Sequence, residues 1–570
     1  MNRFSRIVYD LVLVSALAGN LAAQSTAPLN PSADPFTIKR GSTFIASGGS
    51  PNAGNETGSK PSRIASDILE AEKIISRNYF GVEASDSREL TKAALDGMLR
   101  SLDPHSNFYD AAEWKDLLDE QRSGYTGIGA SIANFERDGV MDTFVLSTFP
   151  NSPAARAHLR YGDKIVAISG EKMTGKSSDF VRDKIRGASG TMFRLTIERA
   201  ASNRIETIEI RRNRVQQPSI PDAYILRPGI GYIDLSEGFN YTTSDEFDVA
   251  LQELKSQGMR SLVLDLRGNT GGIVEQAVKV AERFLPAGTL ILTQRGRSRI
   301  DNRVWKSNNS TPDQTPLVVL VNEETASASE IVAGAFQDDD RAMIVGEKTF
   351  GKGLVQSVIN LPNRTGLTLT TGRYLTPSGR SIQRDYSKLD IYDYFNHRTP
   401  VDAIDKPYFE ARTLTDRKVF GGDGIQPDEA VKSEKLNNAQ AALLDPLFFF
   451  SREAVNGKIA GQENYSAVPF SFGKRIDATD FRVTENLIEA FNDFVEKKTD
   501  GKFTANTLKK ESAFIRLRLR YYIAMASYGS VSANQVLIED DPQVAKAVET
   551  LPRAAQLAQS AVRARQKPIR

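Results

Sequence analysis

From about residue 213 the chain alternates short, continuous apolar runs with amphipathic stretches. The runs "GIGYIDLS", "SLVLDLRG", "PLVVLVN" and "AMIVGE" have the length of strands buried on both faces. Between them, "SDEFDVALQELKSQG", "GGIVEQAVKVAERFL" and "SASEIVAGAFQDDD" carry apolar residues at helical spacing. This alternation predicts a layered α/β sheet over 213–430. Its chemistry is expected at the turns beyond the carboxyl ends of the strands. Residues 124–212 change character, with short β-type runs around two small helical patterns, and predict a compact α+β module. Residues 61–123 read as a helical unit, with Ile64, Ile68, Leu69, Ile74 and Ile75 on a rough 3.6 period. Residues 431–570 also read as helical. Thr484 caps "ENLIEAFNDFVEKK", whose Leu487, Ile488, Phe491, Phe494 and Val495 share a face. These last helices are expected to be a structural or docking appendage.

The amino terminus adds a different pattern. Basic residues precede the apolar, small-residue run Leu11–Ala23, which is too short to span a bilayer. Residues 1–23 are therefore expected to be an export signal, leaving no integral membrane segment in the mature chain. Residues 24–60 are rich in Ser, Gly, Pro and Asn and read as a linker without fixed structure.

Composition narrows the chemistry. The 570 residues carry a net charge of only +2, which gives no electrostatic footprint for nucleic acid. No cysteine is present, so thiol catalysis, disulfides and zinc–thiolate sites are excluded. With three histidines, His105, His158 and His397, a multi-histidine metal site is not expected, and neither metal nor cofactor is called for. A serine nucleophile would need one of these histidines as base, or a different base.

Ser327 lies where "PLVVLVN" turns into "EIVAGAFQ", at a helix start that offers unpaired N–H groups and the positive end of the dipole. Ala326 and Ala328 leave room for a substrate backbone. Helix capping explains a serine there equally well, and Ser329 before Glu330 suits that role. Lys352 sits in the glycine-flanked turn "TFGKGLVQ", with Phe350, Leu354 and Val355 around it. Lysine acts as a base only where burial lowers its pKa. Gly271 and Gly272, at another strand end, offer backbone N–H groups for an oxyanion, although glycine at a turn needs no such reason.

The run "TASASEIVAGAFQDDDRAMIVGEKTFGKGLVQ" closely resembles the signature of the carboxy-terminal processing (tail-specific) proteases, Ser–Lys peptidases of family S41 with an inserted PDZ domain. The resemblance extends over roughly 65–430 through "SLDPHSNFYD", "GYTGIGASI", "SPAARAHLRYGDKIVAISG", "LVLDLRGNTGG", "YLTPSGRSIQ" and "GGDGIQPD". It implies a multidomain α/β protein: a layered, crotonase-like protease core, an inserted PDZ α+β domain, an N-terminal helical unit and a C-terminal helical extension. It makes Ser327 the nucleophile, Lys352 the general base and Gln356 the residue that orients the lysine. The oxyanion hole combines the N–H of Ala328 with that of Gly271 or Gly272, and Asp338 is an acidic residue that supports activity. In a straight strand Lys352 and Gln356 would lie about 13 Å apart, so the chain must bend near Gly351 or Gly353. Thr325, Gly268 and Thr270 depart from the family pattern without removing a reacting group. A longer insertion, from about Arg384 to Phe420, separates "SGRSIQ" from "GGDGIQPD", and the resemblance does not extend to the C-terminal helices.

A PDZ domain adds a peptide to a sheet edge and holds its terminal carboxylate in backbone N–H groups. The resemblance assigns the carboxylate loop to Gly127, Ile128, Gly129 and Ala130. It assigns the pairing strand to Ser131, Ile132 and Ala133, and the groove wall to Phe180, Val181 and Ile185. The implied protein is an exported, periplasmic or secreted endopeptidase. It would cleave proteins near apolar C-terminal tails, with room for an adaptor protein and for a homo-oligomer. The alternative is a PDZ scaffold on a retired protease core.

Overall fold

The computed structural model describes residues 63–80, 87–387, 389, 391–396, 409–467, 470–498, 501 and 503–566. The expected export signal and linker lie outside the described residues. Two compact units result, the first ending at Leu102 and the second beginning at Asp103. The first holds α1 (Arg63–Asn78) and α2 (Ser87–Arg100), joined where Ser87 Oγ donates to Glu72 at 2.5 Å. Residues 103–123, expected to belong with these helices, are instead part of the second unit, because β1 (Asn107–Tyr109) pairs with a strand of the protease region. After it, α3 (Ala111–Gln121) starts at a capping box formed by Asp110 and Glu113.

The α+β module follows as β2 (Gly124–Gly127), β3 (Ala130–Arg137), β4 (Val140–Thr148), α4 (Pro153–Arg156), β5 (Lys164–Ile168), β6 (Glu171–Lys172), α5 (Ser178–Ile185), β7 (Met192–Glu198), β8 (Ile205–Arg211) and β9 (Asn213–Gln216). Its sheet runs β3-β4-β5-β7-β8, with β6 on β5, while β2 and β9 pair as a two-stranded neck. Side chains alternate across the pleat. Val145, Ile165, Leu195 and Ile197 fill an inner core closed by Val181 of α5. Ala133, Phe135, Phe144 and Leu146 point to the opposite face.

The remaining chain gives β10 (Asp222–Arg227), β11 (Ile230–Asp234), α6 (Thr243–Ser256), β12 (Ser261–Asp265), α7 (Val274–Glu282), β13 (Leu290–Gly296), β14 (Arg303–Lys306), β15 (Leu317–Val321), α8 (Ala328–Asp338) and β16 (Met343–Gly346). After these come β17 (Leu354–Asn360), β18 (Gly366–Leu375), α9 (Ile391–Phe395), β19 (Phe409–Arg412), β20 (Lys418–Gly421) and β21 (Glu429–Ala430). One sheet runs β10-β11-β12-β15-β16-β21 and is parallel from β11 onward. A second, antiparallel sheet runs β1-β18-β13-β14, with β17 also on β18. The insertion supplies α9 and the β19–β20 hairpin.

The C-terminal helices are α10 (Asn438–Val455), α11 (Glu485–Lys498), α12 (Ala505–Lys510), α13 (Ser512–Glu539) and α14 (Pro542–Arg565). They are a structural layer and not an appendage. Phe448 of α10 stacks on Phe135 with ring centroids 3.6 Å apart, so the outward face of the α+β module is buried under helices. In the parallel sheet, Leu262, Leu264, Leu317, Val319 and Val321 face the cluster containing α6, α7 and α8. Val263, Val318 and Leu320 point the other way, onto Val544, Ala547, Leu551 and Ala554 of α14. Strands apolar at every position need cover on both sides, and α14 is the second cover. Among the described residues no helix is long and apolar enough to cross a membrane.

Candidate active site

Strand β15 ends in a turn that delivers Ser327 to the start of α8. Its backbone has φ +56° and ψ −113°, a conformation that a side-chain-bearing residue rarely adopts. The turn is held from both sides. Ser329 Oγ donates to Asn269 Oδ1 at 2.6 Å, and the Ala326 N–H donates to the Asn269 carbonyl at 2.9 Å. Asn269 is fully buried, and its amide donates to Leu235 O.

Glu330, on the first turn of α8, is the centre of the arrangement. Oε1 accepts Thr349 Oγ1 at 2.5 Å and the Gly351 N–H at 2.8 Å. Oε2 accepts the N–H of Ser327 at 2.9 Å and of Lys352 at 2.8 Å. Four donors surround the buried carboxylate and favour its ionised form. Burial pushes its pKa upward, and those donors oppose the shift. Tyr374, from β18, completes the tie, its hydroxyl 2.8 Å from the Ser327 carbonyl and 2.7 Å from the Lys352 carbonyl.

Lys352 itself is half-buried. Loss of hydration lowers its pKa from 10.5 to about 8, against the charges of Glu330 and Asp103, which raise it. No hydrogen bond joins its ammonium to the Ser327 hydroxyl; such contacts are often long without substrate and tighten when it binds. The expected bend is present: Gly351 takes φ +89°, and a bulge interrupts the β17–β18 pairing between Val355 and Gln356. Gln356 nonetheless forms no hydrogen bond with the lysine. Its amide donates to Thr370 Oγ1 at 3.1 Å, and Thr370 is held by Ser106, which bonds Asp103.

The two candidate oxyanion donors separate clearly. The Gly271 N–H donates to Asn269 Oδ1 at 2.9 Å and is occupied. Those of Gly272 and Ala328 bond to no described residue. Gly271 matters sterically instead: a Cβ there would lie 2.7 Å from Ser327 Cβ and 3.0 Å from the Ala328 nitrogen. Asp338 is at the far end of α8, roughly 16 Å of helix from Ser327. Its carboxylate pairs with the fully buried Arg380 and accepts Ser378 N at 2.9 Å and Oγ at 2.6 Å. It fixes the turn after β18 and does not face the serine.

Comparisons with known proteins give the family. The sequence pattern of peptidase family S41 matches residues 229–392, and that of the PDZ domain matches 145–199. The carboxy-terminal-processing protease of Bartonella bacilliformis is 37% identical over 307 residues, covering 53% of this chain and 69% of the relative. A CtpA-like serine protease of Staphylococcus aureus is 30% identical over 429 residues, covering 74% of this chain and 80% of that one. The chain belongs to the carboxy-terminal-processing proteases. Among solved structures, the photosystem II D1 C-terminal processing protease is 29% identical, with TM-score 0.34, over 64% of this chain and 92% of that one.

In this S41 protease His105 lies near the lysine. It is buried, and its pKa is driven to about 3 by desolvation and then by the charges of Lys352 and Arg384. Its Nε2 lies 2.9 Å from the hydroxyl of Tyr394, on α9. Phe350, Tyr394 and Phe395 pack around it, with ring centroids 5.4–6.4 Å from His105. The insertion therefore walls the lysine side of the site.

In the PDZ domain the N–H groups of Ile128 and Gly129 donate to no described residue, and Gly129 takes φ +73°. Such a pair forms a nest for an anion. Strand β3 is an edge strand, paired only with β4. Of the residues assigned to the groove, Ala130 is half-open. Gly127, Ile128, Gly129, Ile132, Val181 and Ile185 are buried, the isoleucines and valine inside the domain's own core. Asn269, Glu330 and Tyr374 escaped the sequence reading. The Ser-x-x-Glu spacing of Ser327 and Glu330 was the available signal for one of them, since it marks a capping box. Tyr374 carried none.

Proposed function

We propose that this S41 protease is an exported Ser–Lys endopeptidase that cleaves proteins near apolar C-terminal tails. The observation that carries the reading is the tie of the Ser327 and Lys352 backbones to one oxygen of Glu330, beside two unoccupied N–H groups. Neutral Lys352 accepts the proton of the Ser327 hydroxyl as its oxygen attacks the scissile carbonyl. The resulting oxyanion accepts from the N–H groups of Ala328 and Gly272. The protonated lysine then gives its proton to the departing amine, leaving an acyl-enzyme. Water, deprotonated by the same lysine, releases the new carboxylate. A substrate tail adds to β3 with its carboxylate on Ile128 and Gly129, and its apolar side chain enters toward Ile132, Val181 and Ile185. Opening that core is part of binding, because these side chains are buried without a peptide. Residues 1–23 carry the pattern of an export signal, which supports a periplasmic or secreted site of action.

The test incubates the full chain with an unstructured protein that ends in either an apolar or a charged tail, alongside Ser327→Ala and Lys352→Ala. Products are identified by mass spectrometry. Cleavage that requires both residues and favours the apolar tail is expected. Tail binding without any cleavage would favour the scaffold reading.

A further inference from the structure

We propose that Asp541, the residue that caps α14, is a positioning residue for catalysis that acts through Arg267 on the loop carrying Gly272. Asp541 does two jobs at the start of α14. Oδ1 accepts the N–H groups of Gln543 at 2.7 Å and Val544 at 3.1 Å, which caps the helix. Oδ2 accepts Nη1 of Arg267 at 2.6 Å. The buried Gln543 reinforces the grip, its Oε1 accepting the same Nη1 at 2.8 Å while its amide donates to Val431 O.

Arg267 is the second residue beyond β12. Its Nε and Nη2 fork onto Asp265, the last residue of that strand, at 2.6–3.0 Å. The guanidinium thus bridges a carboxylate of the protease sheet to one of the extension, a planar geometry that fixes direction as well as distance. From Arg267 the chain runs directly through Gly268, whose N–H is held by Asn322 Oδ1, to Asn269, Gly271 and Gly272. The helix that supplies Asp541 lies along β12 and β15, the strands that deliver this loop and Ser327. The Asp541–Arg267 pair therefore sets the approach of the Gly272 N–H to the Ala328 N–H from behind. This inference rests on the oxyanion role proposed above for those two groups.

Two substitutions in the full chain separate the jobs of Asp541. Asp541→Asn keeps an oxygen that caps α14 and loses the ion pair. Asp541→Glu keeps the ion pair on a longer arm and weakens the cap. The rate at which a fluorophosphonate modifies Ser327, followed by intact mass, reads the oxyanion site directly, and kcat and KM on a peptide accompany it. Asp541→Asn is expected to slow phosphonylation and kcat about tenfold, below the ~100-fold loss of a donor removed outright, with KM within twofold. Asp541→Glu is expected to react like the wild type and melt at a lower temperature. Leu551→Ala, which loosens α14 on the sheet without touching Asp541, is expected to lower the melting temperature and leave the rates alone. Equal phosphonylation of Asp541→Asn and wild type overturns the proposal, as does a rate loss in Leu551→Ala as large as in Asp541→Asn. A wild type that is never modified at Ser327 overturns the Ser–Lys reading itself, and this inference with it.

Discussion

The backbone N–H groups of Ser327 and Lys352, 25 positions apart in the chain, converge on one oxygen atom, Oε2 of Glu330. Their carbonyls converge on one hydroxyl, that of Tyr374. The register between the two residues is thus set by main-chain contacts, and their side chains remain free to react. Glu330→Gln offers one acceptor oxygen where two are needed and turns an NH2 group toward N–H donors. It is expected to lower kcat about 100-fold and stability by about 2–4 kcal/mol, from losing charge-assisted bonds. Steady-state kinetics and thermal melts on the same preparation check both numbers.

The lowered pKa of Lys352 gives the pH dependence its sign. Only the neutral amine accepts a proton, and with a pKa of about 8 it is the minor form at neutral pH. The value of kcat/KM should rise about tenfold per unit below pH 7 and level off above pH 9. A flat profile from pH 6 to 10 would remove Lys352 from the mechanism.

The same shift carries a stability effect of opposite use. Below pH 8 the folded chain holds a charged, dehydrated lysine, which is unfavourable. Between pH 8 and 10.5 the folded state has lost the proton while the unfolded state keeps it, so the penalty shrinks steadily from pH 8 and is gone above 10.5. Lys352→Met should therefore abolish cleavage and stabilise the protein at pH 7, by on the order of 2 kcal/mol. The gain should shrink in melts run above pH 8.

Gly271→Ala places a methyl group against Ser327 Cβ and the Ala328 nitrogen at a φ of +109°. The oxyanion site is displaced while neither reacting side chain is changed. Activity is expected to fall about 100- to 1,000-fold, with the KM for a peptide altered less than kcat.

Asp338→Asn separates structural from chemical support. It leaves Arg380, fully buried, without its ion pair, and a loss of about 3–5 kcal/mol is expected. Activity per folded molecule should hold. A fall in kcat for the folded fraction, measured well below the melting temperature, would place Asp338 in the reaction after all.

The layered sheet was legible because strands such as "LVVLV" are apolar at every position, and the buried face of α11 follows its 3.6 periodicity. That Ser327 and Lys352 lie together was legible through a motif, with glycines and alanines marking the close approaches. Gln356 went astray because a bulge, which no local residue announces, turned its amide to Thr370. His105 was missed as a neighbour of the lysine because sequence separation hides contacts made through a sheet. The role of α14 was invisible for a related reason. An amphipathic helix states that it covers something and not what, and the outward apolar positions of β12 and β15 gave only half of that pairing.

The backbone of Ser327 bears on what evolution can do with this fold. At φ +56° and ψ −113° a side chain is strained by about 1–3 kcal/mol, and glycine would relieve the strain while still tolerating the helix start. On the reading proposed above, Ser327→Gly would remove the reacting hydroxyl and relax the backbone in one step, so the strain is carried for the chemistry and not for the fold.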